Sequence, residues 1–228
     1  MHPDTEIDLW LIRHGEAEHN LDKTRIGGGR SNGQLTELGA EQARRLGQYL
    51  KSFEVEFDQL HSSSMLRAIQ TARILRSCLG ADVEIHEHPE FNELDQGQFE
   101  TMTREEAYTP RRQLEMSQRG MDFQPPGGES QRQLQRRAWA KLEEIVVHNY
   151  DLGHSGTTHR IAIVSHKVTI NVLLQAILGS ERAQCWRQSI HNTGYSRFWY
   201  NAQGWWPNCT NATPHLDELR LDRSNRIA

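Results

Sequence analysis

An arginine and a histidine stand side by side where an apolar run of the chain ends, in the sequence Arg13-His14-Gly15-Glu16. The run before them, Leu9–Ile12, has the composition of a buried strand, and open α/β sheets place their chemistry at the carboxyl ends of such strands. Near neutral pH an imidazole can be a nucleophile or a proton carrier, and an arginine beside it can bind an anion. Taken alone, the motif leaves His14 open as a base, a ligand or a cap of the strand.

Three further groups that suit such chemistry follow strand candidates later in the chain. Arg67 lies in the first turn of a helix, Glu93 lies in an acidic loop after the third strand candidate, and His166 ends the clearest buried strand. A cation is unfavourable beside the positive end of a helix, so Arg67 indicates either a bound anion or a side chain directed to solvent. Parallel strands bring their carboxyl ends to one edge, where two arginines and a histidine can hold a phosphoryl group. We therefore expect a site that stabilises the charge of phosphoryl transfer.

The hydrophobic pattern alternates short apolar runs with stretches of helical periodicity. Strands are predicted at 9–12, 57–61, 83–86 and 160–164, with closing strands, at an edge or antiparallel, within 198–206 and near Ile190. Helices are predicted at 36–52, 65–79, 131 to about 149, and 168–178. This alternation predicts a single α/β domain over residues 1–228 with a mostly parallel central sheet.

Three segments lack a regular pattern. The glycine-rich loop 21–34 either cradles a phosphate or is a flexible surface connection, and it lacks the Lys-Ser/Thr ending of a nucleotide-binding loop. The charged stretch at about 101–126 predicts a lid-like insertion with one or two short helices. The charged tail at about 217–228 is expected to fray.

The charge balance argues against a general attraction to nucleic acid or anionic lipid, since 26 Lys and Arg face 30 Asp and Glu for a net charge of -4. Because no apolar run reaches the length of a membrane span and the first residues do not resemble a leader, we expect no membrane attachment. Three cysteines without metal-ligand spacing favour the reducing cytoplasm over a disulfide framework or a cysteine zinc site. The oligomeric state is left open, a homodimer included.

Six motifs follow one another along the chain: Arg13-His14-Gly15-Glu16 with Asn20, Leu35-Thr36-Glu37-Leu38-Gly39, Ser62 to Ala72 with Arg67 and Thr71, Asn92-Glu93, Gly127-Gly128-Glu129-Ser130, and Val164-Ser165-His166. In this order they resemble the histidine phosphatase superfamily, the group that includes cofactor-dependent phosphoglycerate mutases and many small phosphatases. Each motif is weak alone, but chance does not explain six in the right order from Ile7 to about Trp199. The resemblance implies a three-layer α/β/α fold like that of phosphoglycerate mutase.

The resemblance also implies a role for each matching residue. His14 is the implied nucleophile, which becomes phosphorylated, and Glu93 is the implied acid and base for the leaving alkoxide and the attacking water. The implied holders of the phosphoryl oxygens are Arg13, Asn20, Arg67 and His166. The chemistry of these residue types agrees, because a cationic pocket keeps an imidazole neutral and an alkoxide needs a proton as it leaves. No metal and no cofactor are expected, and the implied partner is a small phosphorylated metabolite.

Two departures from the family pattern bear on the reaction. The mutases usually continue their acid motif as Asn-Glu-Arg-x-Tyr-Gly, whereas residues 92–97 of this chain read Asn-Glu-Leu-Asp-Gln-Gly, which favours a hydrolase. Lys167 stands where the family usually has glycine, so either a new cation borders the pocket or the side chain turns away. We therefore expect a metal-independent phosphatase acting on small phosphomonoesters. The alternatives are a mutase-type phosphotransferase and a weakly catalytic regulatory protein that binds phosphoryl groups.

Other charged residues stay without an assigned role. Each of four loop arginines fits a solvated charge at least as well as recognition of a second substrate anion, namely Arg25, Arg30, Arg111 and Arg112. The segment Ala17-Glu18-His19 is expected to be a solvated turn.

Overall fold

A six-stranded sheet lies at the centre of the protein, in a computed structural model that describes residues 5–148, 157–180 and 189–217. The strands are β1 (Glu6–Arg13), β2 (Gln59–Ser63), β3 (Ile85–His88), β4 (Thr158–Ser165), β5 (Tyr195–Asn201) and β6 (Gly204–Ala212). Their spatial order is β3-β2-β4-β1-β5-β6, in which the first four are parallel and the last two antiparallel. Because β1 lies between β4 and β5, its carboxyl end is in the interior of the sheet edge.

Helices cover both faces of this sheet. The α-helices in the described part of the chain are α1 (Glu37–Ser52), α2 (Leu66–Leu79), α3 (Arg104–Ala107), α4 (Pro110–Arg119), α5 (Gln131–Leu142) and α6 (Lys167–Ile177). A π-helical turn, Glu143–Val147, continues α5. Side chains of α1 and α2 pack on one face of the sheet, and those of α5 and α6 pack on the other. The three-layer α/β/α arrangement expected from the sequence is thus present, with a mostly parallel sheet.

The alternation of side chains along β1 explains why it serves both cores. Ile7, Leu9 and Leu11 are buried against α5 and α6, whereas Trp10 and Ile12 are buried against α1 and α2. Successive side chains of a strand point to opposite faces, so a strand buried on both sides reads as a nearly continuous apolar run. The apolar run that predicts the strand also places its end between two helical layers.

Side-chain caps define the starts of two predicted helices. Thr36 accepts a hydrogen bond from the backbone N–H of Gly39, and Ser130 accepts one from the backbone N–H of Gln133. Each cap satisfies a backbone donor that the first helical turn leaves without a partner. These contacts account for the predicted helix starts at 36 and 131.

The strand predictions need correction in their boundaries, and β1 and β4 begin three and two residues earlier than predicted. β2 and β3 each begin two residues later than predicted, because the buried Phe57 and half-buried Val83 belong to the connections before them. The predicted segment 198–206 contains a turn between Asn201 and Gly204, so it forms parts of two antiparallel strands. Ile190 lies outside the strands, although its side chain is buried in the core. An apolar residue in a loop beside the core gives the same local signal as a strand residue.

The charged stretch predicted as an insertion contains α3 and α4, in agreement with the one or two short helices expected. An apolar cluster of Ile26, Phe99, Ala107 and Phe123 attaches it to the glycine-rich loop. That cluster fixes both irregular segments beside the same edge of the sheet.

Some predictions fall outside the described residues, namely the helix end at Asn149, the tail after Asp217 and Cys185. Cys78 and Cys209 are free cysteines. Within the ranges that the structure describes, no helix has the length and apolar character needed to cross a bilayer.

Candidate active site

The imidazole of His14 lies buried just beyond β1, with both ring nitrogens engaged. Its Nδ1 is 2.6 Å from the carbonyl oxygen of Gly15, and its Nε2 is 3.3 Å from the Nε of Arg67. A carbonyl can only accept and a guanidinium can only donate, so Nδ1 carries the proton and Nε2 carries the lone pair. The ring is therefore held in the tautomer in which Nε2 has the lone pair.

Close backbone packing fixes the turn after His14. A Cβ atom on Gly15 would lie 2.3 Å from the carbonyl oxygen of Gly39, and one on Gly39 would lie 1.9 Å from the carbonyl oxygen of Glu16. Both positions need glycine because the turn and the start of α1 are in direct backbone contact. The N–H of Gly15 also donates to the hydroxyl of Thr71, 3.1 Å away. Two separate sequence motifs thus hold the same turn.

The guanidinium of Arg67 reaches the site from the first turn of α2 and is 1% exposed. Its Nε lies 3.3 Å from His14 and 3.2 Å from Nδ1 of His166. Its terminal nitrogens donate to the carbonyl oxygens of Ser31 and Gly28. The alternative of an arginine directed to solvent is wrong, and the glycine-rich loop holds this cation through carbonyl groups.

His166 lies behind Arg67 and is fully buried, with its ring centre 5.0 Å from that of His14. Its Nδ1 accepts from Arg67, so the proton is on Nε2, which lies 2.7 Å from the hydroxyl oxygen of Ser63. Ser63 in turn donates to the side-chain oxygen of Asn92, 2.9 Å away. This chain of hydrogen bonds fixes the ring, and it occupies both nitrogens with protein partners.

Arg13 points from the end of β1 into the same site. One terminal nitrogen donates to the carbonyl oxygen of Ile190, 2.7 Å away. Its Nε is buried without a hydrogen-bond partner among the described residues. Asn192, in the connection before β5, donates to the carbonyl oxygen of His14 at 3.0 Å and so steadies the backbone directly after that residue. An anionic ligand beside His14 would satisfy this donor.

The electrostatics of the site favour neutral histidines among cations. Burial, and then the charges of Arg13 and Arg67, keep the pKa of His14 well below its ordinary value. Burial and Arg67 act in the same direction on the pKa of His166. Burial lowers the pKa of Arg13 and of Arg67 to about 10, which leaves both charged at neutral pH. The site therefore combines an uncharged imidazole with two cations.

Glu93 lies in the loop after β3, with its carboxylate against the first turn of α6. Its carboxylate accepts from the backbone N–H groups of Val168 and Thr169, at 3.2 and 3.3 Å, and from that of Leu94 at 2.9 Å. The first turn of a helix offers backbone N–H donors, and these donors fix both carboxyl oxygens of Glu93. The side chain is positioned by backbone groups and not by an ion pair with either arginine.

Asn20 and His19 form a pair at the mouth of the site. The side-chain oxygen of Asn20 accepts from the N–H of Ala17 at 3.0 Å, and its nitrogen lies 3.0 Å from Nε2 of His19. The ring of His19 is half-buried, 5.8 Å from that of His14 between centres. The expectation of a solvated turn is wrong for His19 and for Ala17, which is fully buried, and holds for the exposed Glu18.

These groups open into a cleft of about 740 Å³. Five of the six predicted site residues line it, namely Arg13, His14, Asn20, Arg67 and Glu93. His166 does not line it, because it lies behind Arg67. Residues of the charged stretch form the outer wall of the cleft, among them Arg104, Tyr108, Gln113, Met116 and Ser117.

The cleft has the opposite charge to the protein as a whole. Among the described residues, six basic side chains line it, Arg13, Lys23, Arg25, Arg67, Arg104 and Lys167. Two carboxylates do so, those of Asp22 and Glu93. The excess of positive charge in a chain of net charge -4 would concentrate anions at this place.

Three of these cations, which we call the basic rim, are Lys23, Arg25 and Arg104. Arg25 pairs with Thr103 in an isolated β-bridge. Arg104 donates from Nε to the carbonyl oxygen of Lys23 at 2.9 Å and from its backbone to that of Thr24 at 2.7 Å. The rim is therefore formed by two distant chain segments that are hydrogen-bonded to each other.

The structure decides between the alternatives left open for other cations. Lys167 borders the cleft, as the first of its two alternatives stated. Arg25 also lines it, whereas Arg30 is bound to Asp95 at 2.8 Å and Arg112 to the carbonyl oxygen of Glu106 at 2.7 Å. Arg111 is exposed and does not line the cleft.

Sequence reasoning missed several polar residues that hold the predicted site residues in place. Ser63, Asn192 and His19 lie on segments whose local pattern reads as strand end, loop and turn. The signal available for Ser63 was its place at the end of a buried strand, the same signal that identified His14 and His166. The described residues contain no group of three or more His, Cys, Asp or Glu side chains arranged to hold a metal ion.

Known proteins share this sequence pattern and fold. A family model described as the histidine phosphatase superfamily (branch 1) matches residues 9–213. A 2,3-bisphosphoglycerate-dependent phosphoglycerate mutase of Parvibaculum lavamentivorans is 33% identical over 74% of this chain and 79% of its own length. A mycobacterial glucosyl-3-phosphoglycerate phosphatase superposes with a TM-score of 0.77 at 22% identity, covering 91% of this chain and 99% of that one. An alpha-ribazole phosphatase from Shigella flexneri gives 0.75 at 24% identity, covering 90% and 96%.

Proposed function

This chain belongs to the histidine phosphatase superfamily, and we propose that it hydrolyses small phosphomonoesters through a phosphohistidine on His14. The observation that carries the proposal is the state of that ring, which lines the cleft with Arg13 and Arg67 and has its lone pair on Nε2. A neutral imidazole fixed by its other nitrogen is ready to attack phosphorus without first losing a proton. Positive charge for the transferring oxygens comes from Arg13 and Arg67, so the proposed reaction uses no metal.

In the first half of the proposed reaction, Nε2 of His14 forms a bond to phosphorus while the ester P–O bond breaks. The leaving alkoxide takes a proton from the carboxyl group of Glu93, and the phosphoryl oxygens take hydrogen bonds from Arg13, Arg67 and Asn20. In the second half, the Glu93 carboxylate removes a proton from water, the water oxygen bonds to phosphorus, and the P–N bond breaks. His14 is then neutral again and inorganic phosphate leaves. His166 acts by holding Arg67 between the two rings.

The residue that follows Glu93 favours hydrolysis over transfer of the phosphoryl group to a second hydroxyl. Leu94 stands where the mutase pattern has arginine, and it is buried in an apolar cluster with Met121, Leu134 and Val172. That position supplies no cation to hold a second phosphorylated group. The relatives include a mutase and the structural neighbours include phosphatases, so family membership alone does not separate the two reactions. The support for hydrolysis comes from the burial of Leu94 in this apolar cluster.

The basic rim supports a substrate with a second anionic group. Lys23, Arg25 and Arg104 lie in the same cleft as His14 but belong to its outer wall. A phosphomonoester dianion needs only the inner cations, which leaves the rim for a carboxylate or another phosphate on the same molecule. The proposed substrate class is a small metabolite with one phosphomonoester and a further acidic group.

The test compares the wild type with His14→Ala on an aryl phosphate and on a panel of alkyl phosphates with and without a carboxylate. We expect loss of turnover by at least about 1000-fold in the variant, since nothing else supplies the nucleophile. Release of labelled phosphate to water supports the hydrolase, and its return to another hydroxyl of 3-phosphoglycerate would instead show the mutase. Turnover that survives in His14→Ala contradicts the proposal, and absence of turnover on the whole panel would favour a regulatory phosphoryl-binding protein.

A further inference from the structure

The side-chain amide of Asn20 is held by two contacts of opposite polarity. Its oxygen accepts from the backbone N–H of Ala17 at 3.0 Å, which can only donate. Its nitrogen lies 3.0 Å from Nε2 of His19 and can itself only donate. If the amide were flipped by 180°, its NH2 group would face the N–H of Ala17, and two donors would oppose each other. The two contacts therefore fix which end of the amide is nitrogen.

The contact with Asn20 also fixes the state of His19. Nε2 must carry a lone pair to accept from the amide, so the ring proton is on Nδ1. That Nδ1 is buried without a hydrogen-bond partner among the described residues. Burial, and then Arg67 and Arg13, lower the pKa of His19 to about 4, so the ring is neutral and keeps its lone pair at neutral pH. A buried N–H without an acceptor is unfavourable, so fold stability alone does not account for this ring.

The glycine-rich loop is shaped to admit the ring. A Cβ atom on Gly27 would lie 2.7 Å from the ring of His19, and the carbonyl oxygen of Gly27 is held by Gln96 at 2.8 Å. The loop therefore approaches the ring closely and is fastened in that position. His19 has a defined place in the cleft wall beside His14.

We propose that His19 is a positioning residue, which accepts from the Asn20 amide nitrogen and so directs the remaining amide N–H to the transferred phosphoryl group. The nitrogen has two hydrogens, and His19 takes one of them. The second is the donor that Asn20 contributes to the cleft. This inference rests on the proposed function, since it concerns an oxygen-holding group of that same reaction.

Variants at position 19 separate hydrogen bonding from packing. His19→Gln keeps a carbonyl acceptor for the amide but loses the ring, whereas His19→Phe keeps the ring but loses the acceptor. We expect kcat/KM for an aryl phosphate to fall about 10-fold in the phenylalanine variant and to stay within about 3-fold of wild type in the glutamine variant, on the scale of one hydrogen bond. A role in packing predicts the reverse order. His86→Gln, at an exposed histidine outside the cleft, is the matched control and is expected to behave as wild type.

A double-mutant cycle with Asn20→Ala tests whether the two residues act as a unit. We expect His19→Phe combined with Asn20→Ala to lose about as much as either single variant, because both remove the same directed donor. Multiplied losses would show independent roles and overturn the proposal, as would full activity of His19→Phe.

The binding of inorganic phosphate separates this inference from the proposed function. If the wild type fails to turn over any phosphoester, the proposed function fails, but calorimetry of phosphate binding to the same variants still tests His19. Weaker binding in the phenylalanine variant with recovery in the glutamine variant supports the positioning role, and equal affinity in all of them contradicts it.

Discussion

The two ends of β1 bury charge in different ways. Near its beginning, the fully buried Asp8 accepts two hydrogen bonds from Arg197, at 2.6 and 2.8 Å, and lies 3.5 Å from Arg160. At its other end, Arg13 and Arg67 form no ion pair with a carboxylate of the described residues and face neutral histidines. At the Asp8 end the buried charge is paired with a charge of opposite sign. At the Arg13 end the cations have hydrogen-bond donors that an anion could occupy.

This contrast shows how to separate a structural charge from a functional one in a single strand. A buried charge with a partner of opposite sign is tolerated in the fold as long as both groups are present. Removing the partner lowers the free energy of unfolding, because it leaves a buried charge without compensation. An uncompensated cationic site is a cost to the fold that only a bound anion relieves. A change at the Asp8 end should therefore lower the free energy of unfolding and leave activity intact. A change at the Arg13 and Arg67 end should lower activity and leave the free energy of unfolding nearly unchanged.

The largest effect on activity should come from Arg67. Replacing it with methionine keeps most of the side-chain volume but removes the donor between His14 and His166, and we expect kcat/KM to fall by about 1000-fold. Urea unfolding should show a free energy close to that of wild type, since a buried cation is removed as well as its hydrogen bonds. Inorganic phosphate should raise the Tm of the wild type and not of the variant. An active variant would contradict a functional role for Arg67. A variant that fails to fold would show that Arg67 is needed for stability, as Asp8 is.

Glu93 sharpens the comparison, because it is a carboxylate near two arginines that is bound to backbone N–H groups instead. We expect Glu93→Gln to slow alkyl phosphates by about 100-fold and aryl phosphates by much less, since a good leaving group needs little protonation. The readout is the ratio of kcat values on matched alkyl and aryl substrates. Equal slowing on both would assign the acid role to another residue.

The smallest effect on activity should come from Asp8, where stability changes instead. Asp8→Asn leaves Arg197 without its carboxylate, and we expect the free energy of unfolding to fall by about 2–3 kcal/mol with kcat/KM unchanged. Glu41→Gln is the control, because the ion pairs of Glu41 with Arg44 and Arg45 are on the surface and are expected to contribute about 0.5 kcal/mol or less. Loss of activity in a folded Asp8 variant would mean that the two ends of β1 are not independent.

Much of the fold and the grouping of residues at the candidate site could be predicted from the sequence, for one physical reason. Arg13, His14 and His166 directly follow apolar runs, and parallel strands bring such ends together whatever their distance along the chain. Boundaries were less certain, as Phe57 and Ile190 show, because apolar residues in connections beside the core look like strand residues.

What the local pattern could not predict are the contacts between segments that only folding brings together. The choice of Lys167 and Arg25, but not Arg30, as cleft residues depends on where the loops lie. The place of Ser63 depends on Asn92 and His166, which are far from it in the chain.

The sequence by itself located His14, the arginines and the sheet edge that gathers them, because these follow from residue type and strand periodicity, while the nucleophile role of His14 was implied by the family resemblance. Only the tertiary structure decided the protonation state of His14, through Gly15 and Arg67, and the place of His19 beside Asn20. A ring nitrogen takes its proton according to the donor or acceptor that faces it, and that partner is set by packing and not by its neighbours in the chain.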